Sequence, residues 1–180
     1  MNDADAKMTK SVEATREDFA TIRAGRANPA MFAKITADYY GTPTPLQQLA
    51  SFTSQDARTI LIQPFDIGAM GNIERAIRDS DLGVNPANDG KVLRCVFPEL
   101  TEERRKDFIK LARAKAEDGR VAVRNLRRSA KQGLEKLEKD GEVGKDDVTG
   151  AEKRLDSITK KHTEEIDEML KNKESELLEV

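Results

Sequence analysis

Five cations along one stretch of this 180-residue chain have the types and spacing to do chemistry. They are Arg113, Arg120, Arg124, Arg127 and Lys131, at gaps of seven, four, three and four. On an α-helix such gaps return to one side of the rod, so the five form a column. Four are arginines, whose planar fork of donors matches phosphate oxygens. From Arg104 to Lys139 the chain carries 13 Lys or Arg against 5 Asp or Glu. The implied chemistry is capture of a polyanion. A charged stripe can also be a solvated helix face, but this one is nearly all of one sign, which favours a partner.

Bond-making chemistry lacks its parts. There is no glycine-rich phosphate loop, no paired Cys or His at ligand spacing, and no Ser/His/Asp set that helical spacing would assemble. The sequence therefore predicts no catalytic residue, metal site, cofactor or small-molecule substrate. The one histidine, His162, falls on a helix seam and reads as a packed side chain with no titrating partner. Cys95 reads as a small core hydrophobe. Of Tyr39 and Tyr40, one ring should face the core and the other solvent.

Three segments must position the column. Ile109, Ala112, Ala116, Gly119, Val123, Leu126, Ala130, Gly133 and Leu137 recur at alternating steps of three and four, which predicts one helix from Arg104 to Lys139. At 1.5 Å per residue it is roughly 54 Å long. Gly119 and Gly133 each cost about 1 kcal/mol against alanine inside a helix. Both lie on the seam, so close helix approach is expected at each. Met8, Val12, Thr15, Phe19 and Ile22 carry the same period, ended by Gly25 and Asn28-Pro29. Arg23 and Arg26 at that end suit the helix dipole, and segment 21–29 could also touch an anionic surface. Thr101-Glu-Glu opens the long helix, Gly141 closes it, and Val148, Ala151, Leu155, Ile158, His162, Ile166 and Met169 continue the period in a third. Three compatible seams make a three-helix bundle.

Between the first two helices the period changes to two. Ile35, Ala37 and Tyr39 read as a strand broken by Gly41-Thr-Pro-Thr-Pro45. Leu46–Phe52, Thr59–Ile62 and Val92–Phe97 read as further strands, Ile67–Ile77 as a helix capped by Asp66, and 85–90 as turn. The expected fold is α+β: a bundle of 1–29 with 102–180, and an inserted β/α/β domain of 30–101. Two connections leave a double hinge at Asn28, Pro29, Pro98 and Thr101.

Charge is unevenly shared. Residues 30–103 carry 6 basic and 10 acidic groups and residues 140–180 carry 7 and 13, while the whole chain stands at −2. A polyanion would meet one face only. One cysteine excludes an internal disulfide, which fits a reducing compartment. No apolar run approaches 18 residues and the N-terminus lacks an apolar signal core, so a cytoplasmic protein with no membrane partner is expected.

Five stretches carry a family likeness: TIRAGRANP (21–29), YYGTPTPLQQLAS (39–51), SDLGVNPANDG (80–90), PELTEERRK (98–106) and RVAVRNLRR (120–128). In order and spacing they resemble the ribosome recycling factor family over nearly the whole chain. The resemblance implies an L-shaped, monomeric, non-enzymatic protein whose two domains flex at the double hinge. It implies binding to the large ribosomal subunit and its 23S rRNA across the A and P sites. With elongation factor G and GTP hydrolysis, such a factor splits the post-termination ribosome and releases mRNA and tRNA. Arg127 and Arg128 match family arginines that contact rRNA, and Arg26 matches the arginine after the glycine of the first-helix motif. With Arg120, Arg124 and Lys131 these form the expected rRNA-binding set. The pattern departs at Gly119 and Cys95, where alanine and a valine-like residue are usual. A ribosome-stabilising hibernation factor and a coiled-coil protein adaptor are the other classes that such charged helices allow.

Overall fold

The computed structural model describes residues 2–179. The first helix, α1, covers Asn2–Thr21; the two long helices, α4 and α5, cover Glu102–Lys139 and Lys145–Leu178. Contacts divide the chain into two compact units. One joins residues up to Phe19 with Ile109–Ser175; the other joins Ala20–Phe108 with residues from Glu176 on.

The first unit is a three-helix bundle. Met8, Val12, Thr15 and Phe19 of α1 are buried, as are Ala112, Ala116, Gly119 and Val123 of α4 and Val148, Ala151, Leu155, His162 and Ile166 of α5. Thr101 Oγ1 accepts the Arg104 amide at 3.2 Å and caps α4. At the other end Gly141 takes a φ of +74°, and the Glu142 amide reaches back to the Leu137 carbonyl at 3.0 Å. That is the left-handed stop expected of the glycine.

The seam departs from expectation in its last third. Gly133 is exposed with open space around it, and Leu137 is 37% exposed. Ion pairs set α5 against α4 in antiparallel register: Arg113 with Glu174, Arg120 with Asp167, Arg127 with Asp156. On that ladder His162 lies near the level of Val123, and it meets Asp5 from the first turns of α1. Past Val123, α4 has no fully buried residue among those described and buries a narrower stripe. At Gly119 the expected close approach is present: a methyl group there would overlap Thr15 Oγ1 and lie 3.1 Å from Ile166 Cδ1.

In the second unit, β1 (Thr36–Tyr39) and β2 (Thr42–Pro45) form a hairpin. A single helical turn, α2 (Leu46–Leu49), leads into β3 (Ala50–Ser54). Then come β4 (Thr59–Pro64), α3 (Met70–Arg78), β5 (Pro86–Asn88) and β6 (Leu93–Val96), the sheet order being β3-β4-β6-β5, all antiparallel. Ile60 and Ile62 of β4 stand opposite Cys95 and Leu93 of β6, and all four are fully buried. Met70, Ile73 and Ile77 of α3 are buried in the same core, as are Phe32 and Phe97, whose rings meet edge to face at 6.1 Å.

Three local expectations are corrected. Residues 42–45 are a strand, because Pro43 and Pro45 occupy a hairpin edge where no amide is required. Leu46–Leu49 turns once as a helix before the strand begins, which buries both leucines. Pro86–Asn88 pairs as an edge strand, with Pro86 opposite Cys95. Among the described residues no helix is long and apolar enough to cross a membrane, and no group of His, Cys, Asp or Glu could hold a metal.

Candidate nucleic-acid interface

Helix α4 sets the cations at the predicted spacing, but most of them are not free. Arg113 Nε donates to Glu174 Oε1 at 2.6 Å, and Arg120 Nε to Asp167 Oδ1 at 2.7 Å. Arg127 Nε donates to Asp156 Oδ1 at 2.8 Å. All three acids belong to α5. Within α4, Glu117 bridges two arginines, accepting Arg120 Nη1 on one oxygen and Arg124 Nη1 on the other, each at 3.1 Å. Those hydrogen bonds hold the Glu117 carboxyl below its usual range. Burial alone would lower the pKa of Arg120, but its bonds to Asp167 and Glu117 outweigh that and raise it.

The column therefore divides. Arg120, bonded to two carboxylates at 19% exposure, is nearly enclosed and spent on the pairing, whereas Arg113, 63% exposed, turns one edge to Glu174. Arg124 is 56% exposed and uses one nitrogen on Glu117. Arg127 is 40% exposed and turns one edge to Asp156. Arg128 is exposed and Lys131 half-buried, and neither has an ion-pair partner among the described residues. A guanidinium carries five N–H donors, so Arg124 and Arg127 keep donors for an incoming phosphate while their carboxylates hold them in place. These four cations span 124–131, two turns of helix or about 10 Å.

Arg26 lies in the second unit, exposed, in the irregular segment after α1. Arg23 does not sit at the helix end as a dipole partner. It is 94% buried: Nη1 donates to the Pro98 carbonyl, and the guanidinium stands 5.8 Å from the centre of the Phe97 ring. Burial, then the neighbouring Arg58 and Arg104, lower its pKa. Arg58 Nε donates to the Phe97 carbonyl at 2.9 Å and the Ala27 amide to the Ala57 carbonyl at 2.9 Å. Of the expected hinge residues, Pro98 is held by Arg23, Thr101 caps α4, and Asn28-Pro29 opens a short 3-10 turn, Pro29–Phe32.

His162 has carboxylate neighbours that its spacing did not reveal: Nε2 lies 2.7 Å from Asp5 Oδ1, and Nδ1 lies 3.8 Å from Glu165 Oε2. Cys95 is enclosed in the module core, and burial pushes its thiol up to about 12. Neither belongs to the cationic segment.

Residues 15–178 match the family model described as ribosome recycling factor. A ribosome-recycling factor of a Nocardioides species is 77% identical over all of this chain and 97% of its own length. One from Acidothermus cellulolyticus is 64% identical over 99% of this chain and 96% of its own. Among solved structures, the solution structure of a ribosome recycling factor is similar with a TM-score of 0.77 at 37% identity, covering 99% of this chain and 95% of that one. Models of the T. thermophilus ribosome recycling factor and the E. coli elongation factor G bound to the E. coli post-termination complex include a chain similar at a TM-score of 0.65 and 43% identity, over 99% of this chain and 96% of that one.

Proposed function

Because the chain belongs to the ribosome recycling factor family, we propose that it acts on the post-termination ribosome together with elongation factor G. It is a translation factor and not an enzyme. GTP hydrolysis is the elongation factor's contribution; this chain contributes shape and charge. In this reading the bundle of residues 1–29 and 102–180 holds the large subunit, with Arg124, Arg127, Arg128 and Lys131 on phosphates of 23S rRNA. Arg26 adds a contact from the segment that follows α1, and Arg120 fixes the ladder from which its neighbours project. The module of residues 30–101 receives the elongation factor's push, and flexing near Asn28-Pro29 and Pro98–Thr101 turns that push into subunit separation and release of mRNA and tRNA. The protein works as a cytoplasmic monomer.

The observation that carries the binding part is the cationic segment 124–131, exposed and only partly neutralised. Sucrose-gradient profiles of ribosomes carrying mRNA and a terminal tRNA test the whole. Conversion of 70S particles to subunits only when this protein, elongation factor G and GTP are all present is the expected result. Retention of 70S particles would point to a stabilising factor, and failure to associate with ribosomes at all would overturn the reading.

A further inference from the structure

Three arginines of the second unit, Arg23, Arg58 and Arg104, come together without an ion-pair partner among the described residues. Arg23 is 94% buried, and its Nη1 donates to the Pro98 carbonyl. Arg58 Nε donates to the preceding carbonyl, that of Phe97, at 2.9 Å, and the Phe97 amide donates to the Arg58 carbonyl at 2.7 Å. Consecutive carbonyls thus hold two guanidinium groups. Arg104 joins from the first turn of α4 and reaches the turn after α3, where a Cβ on Gly83 would lie 3.3 Å from its Nη2. After burial itself, Arg58 and Arg104 are what lower the Arg23 pKa, and no anion offsets them. The neighbouring acids are used elsewhere. Asp56 Oδ1 accepts the Arg58 amide at 2.8 Å, and Glu102 pairs with Lys106.

One donor in this cluster is left over. Arg23 Nε is buried and has no hydrogen-bond partner. An unpaired donor on a buried cation is costly, and such a group is ordinarily met by a water or an ion. Nε and Nη2 make up the edge by which a guanidinium grips two oxygens of one anion, whereas the nitrogen used on Pro98 is Nη1. A water would satisfy Nε but leave three positive charges facing one another. An anion satisfies the donor and offsets the charge.

Burial chooses the kind of anion. A nucleic-acid strand meets cations that stand on the surface, and the Arg23 edge lies beneath it. Arg58 and Arg104 are exposed, so a free ion meets a cationic entrance first. We propose that Arg23, Arg58 and Arg104 form a site for one small tetrahedral oxyanion, inorganic phosphate. The ion joins the segment after α1, the loop between β3 and β4, and the start of α4, whose cations otherwise repel. The site shares no residue with segment 124–131 and does not depend on the recycling reading.

Isothermal titration of the full chain with inorganic phosphate, in chloride buffer at constant ionic strength, tests the site. The expected result is saturable binding of one ion. Arg23→Lys keeps the charge and loses the two-nitrogen edge, so affinity should fall by about tenfold or more. Arg58→Gln and Arg104→Gln, at exposed positions, should each weaken binding too, and they decide the matter even where Arg23→Lys fails to fold. Arg75→Gln, which removes an exposed cation of α3, should bind phosphate as the wild type does. A short oligoribonucleotide without terminal phosphates should not displace the ion. Absent or unsaturable binding, or equal losses in Arg75→Gln and Arg58→Gln, would disprove the site. Displacement by the oligoribonucleotide would assign the arginines to an RNA backbone and overturn the small-ion proposal.

Discussion

Gly119→Ala would normally be a stabilising change, since alanine gains about 1 kcal/mol over glycine inside a helix. The structure reverses that expectation. The new methyl would overlap Thr15 Oγ1 and lie 3.1 Å from Ile166 Cδ1. Thr15 cannot swing aside cheaply: it is buried, its β-branched side chain is stiff about χ1, and its hydroxyl donates to the Ser11 carbonyl at 3.0 Å. Overpacking of this kind costs about 1–3 kcal/mol, so the net effect is a loss of roughly 1 kcal/mol. With a urea slope of about 2 kcal/mol/M, that moves the midpoint down by about 0.5 M. Thr15→Ala alone removes the hydroxyl and a methyl and should cost about 1 kcal/mol. In the double variant the methyl at 119 fills the room vacated at 15, so the two losses should largely cancel, a coupling of about 1.5 kcal/mol. The assay is urea unfolding followed by helical circular dichroism on all four proteins. A single Gly119→Ala variant as stable as the wild type, or two losses that simply add, would refute the argument that close helix approach explains this glycine. Alanine at 119 is disfavoured in this chain by Thr15 and not by the helix.

Replacing Arg124, Arg127 and Arg128 together by alanine should weaken binding to large subunits and reduce the slope of log affinity against log salt by about one unit per lost phosphate contact. Filter binding across a salt series measures both, and an unchanged slope would sink the assignment. Excising residues 20–108 and joining Phe19 to Ile109 by a short flexible linker should leave a helical bundle that still binds large subunits but no longer splits ribosomes with elongation factor G; normal splitting would make the module dispensable. Glu117 is held ionised by Arg120 and Arg124, Asp3 by Lys7, and Asp56 and Asp89 by amides beyond them, so all four carboxyls titrate lower in the folded chain. Depressed carboxyl pKa values give stability that is present above the unfolded values and lost as pH falls through the folded ones. The urea midpoint should therefore hold from neutrality to about pH 5 and drop below about pH 4; a midpoint flat to pH 3 would contradict it.

Much of the fold could be read from spacing because a helix repeats its own face. The seams of α1 and α4 near Gly119 needed only the steps of three and four, and the Gly141 stop needed only one residue type. What spacing could not reach is anything decided between segments distant in sequence. Nothing within α4 says that Asp156, Asp167 and Glu174 stand opposite its arginines, because that depends on the register of a hairpin. His162 and Asp5 are 157 residues apart in sequence and meet only because α1 and α5 lie side by side. Arg23 looked like a helix-end cation, yet its carbonyl partner lies 75 residues away in the chain. The exposure of Gly133 is not recorded in the seam of α4 alone. Pro43 and Pro45 hid β2 for a different reason: proline argues against a central strand and is silent about an edge.

The ladder between α4 and α5 also explains how a chain of net charge −2 can present a cationic surface. Left unpaired, the acids of residues 140–180 would surround the arginines with a repelling field for any phosphate. Pairing cancels both partners locally, and exposed pairs of this kind add little stability, about 0–1 kcal/mol each. Their value is in where the field remains. Arg113 and Arg120 are each paired with an α5 carboxylate. Beyond Glu117, among the described residues, Arg127 pairs with Asp156 and Arg124 shares Glu117, while Arg128 and Lys131 form no ion pair. In the proposed reading a polyanion engages this short segment of α4.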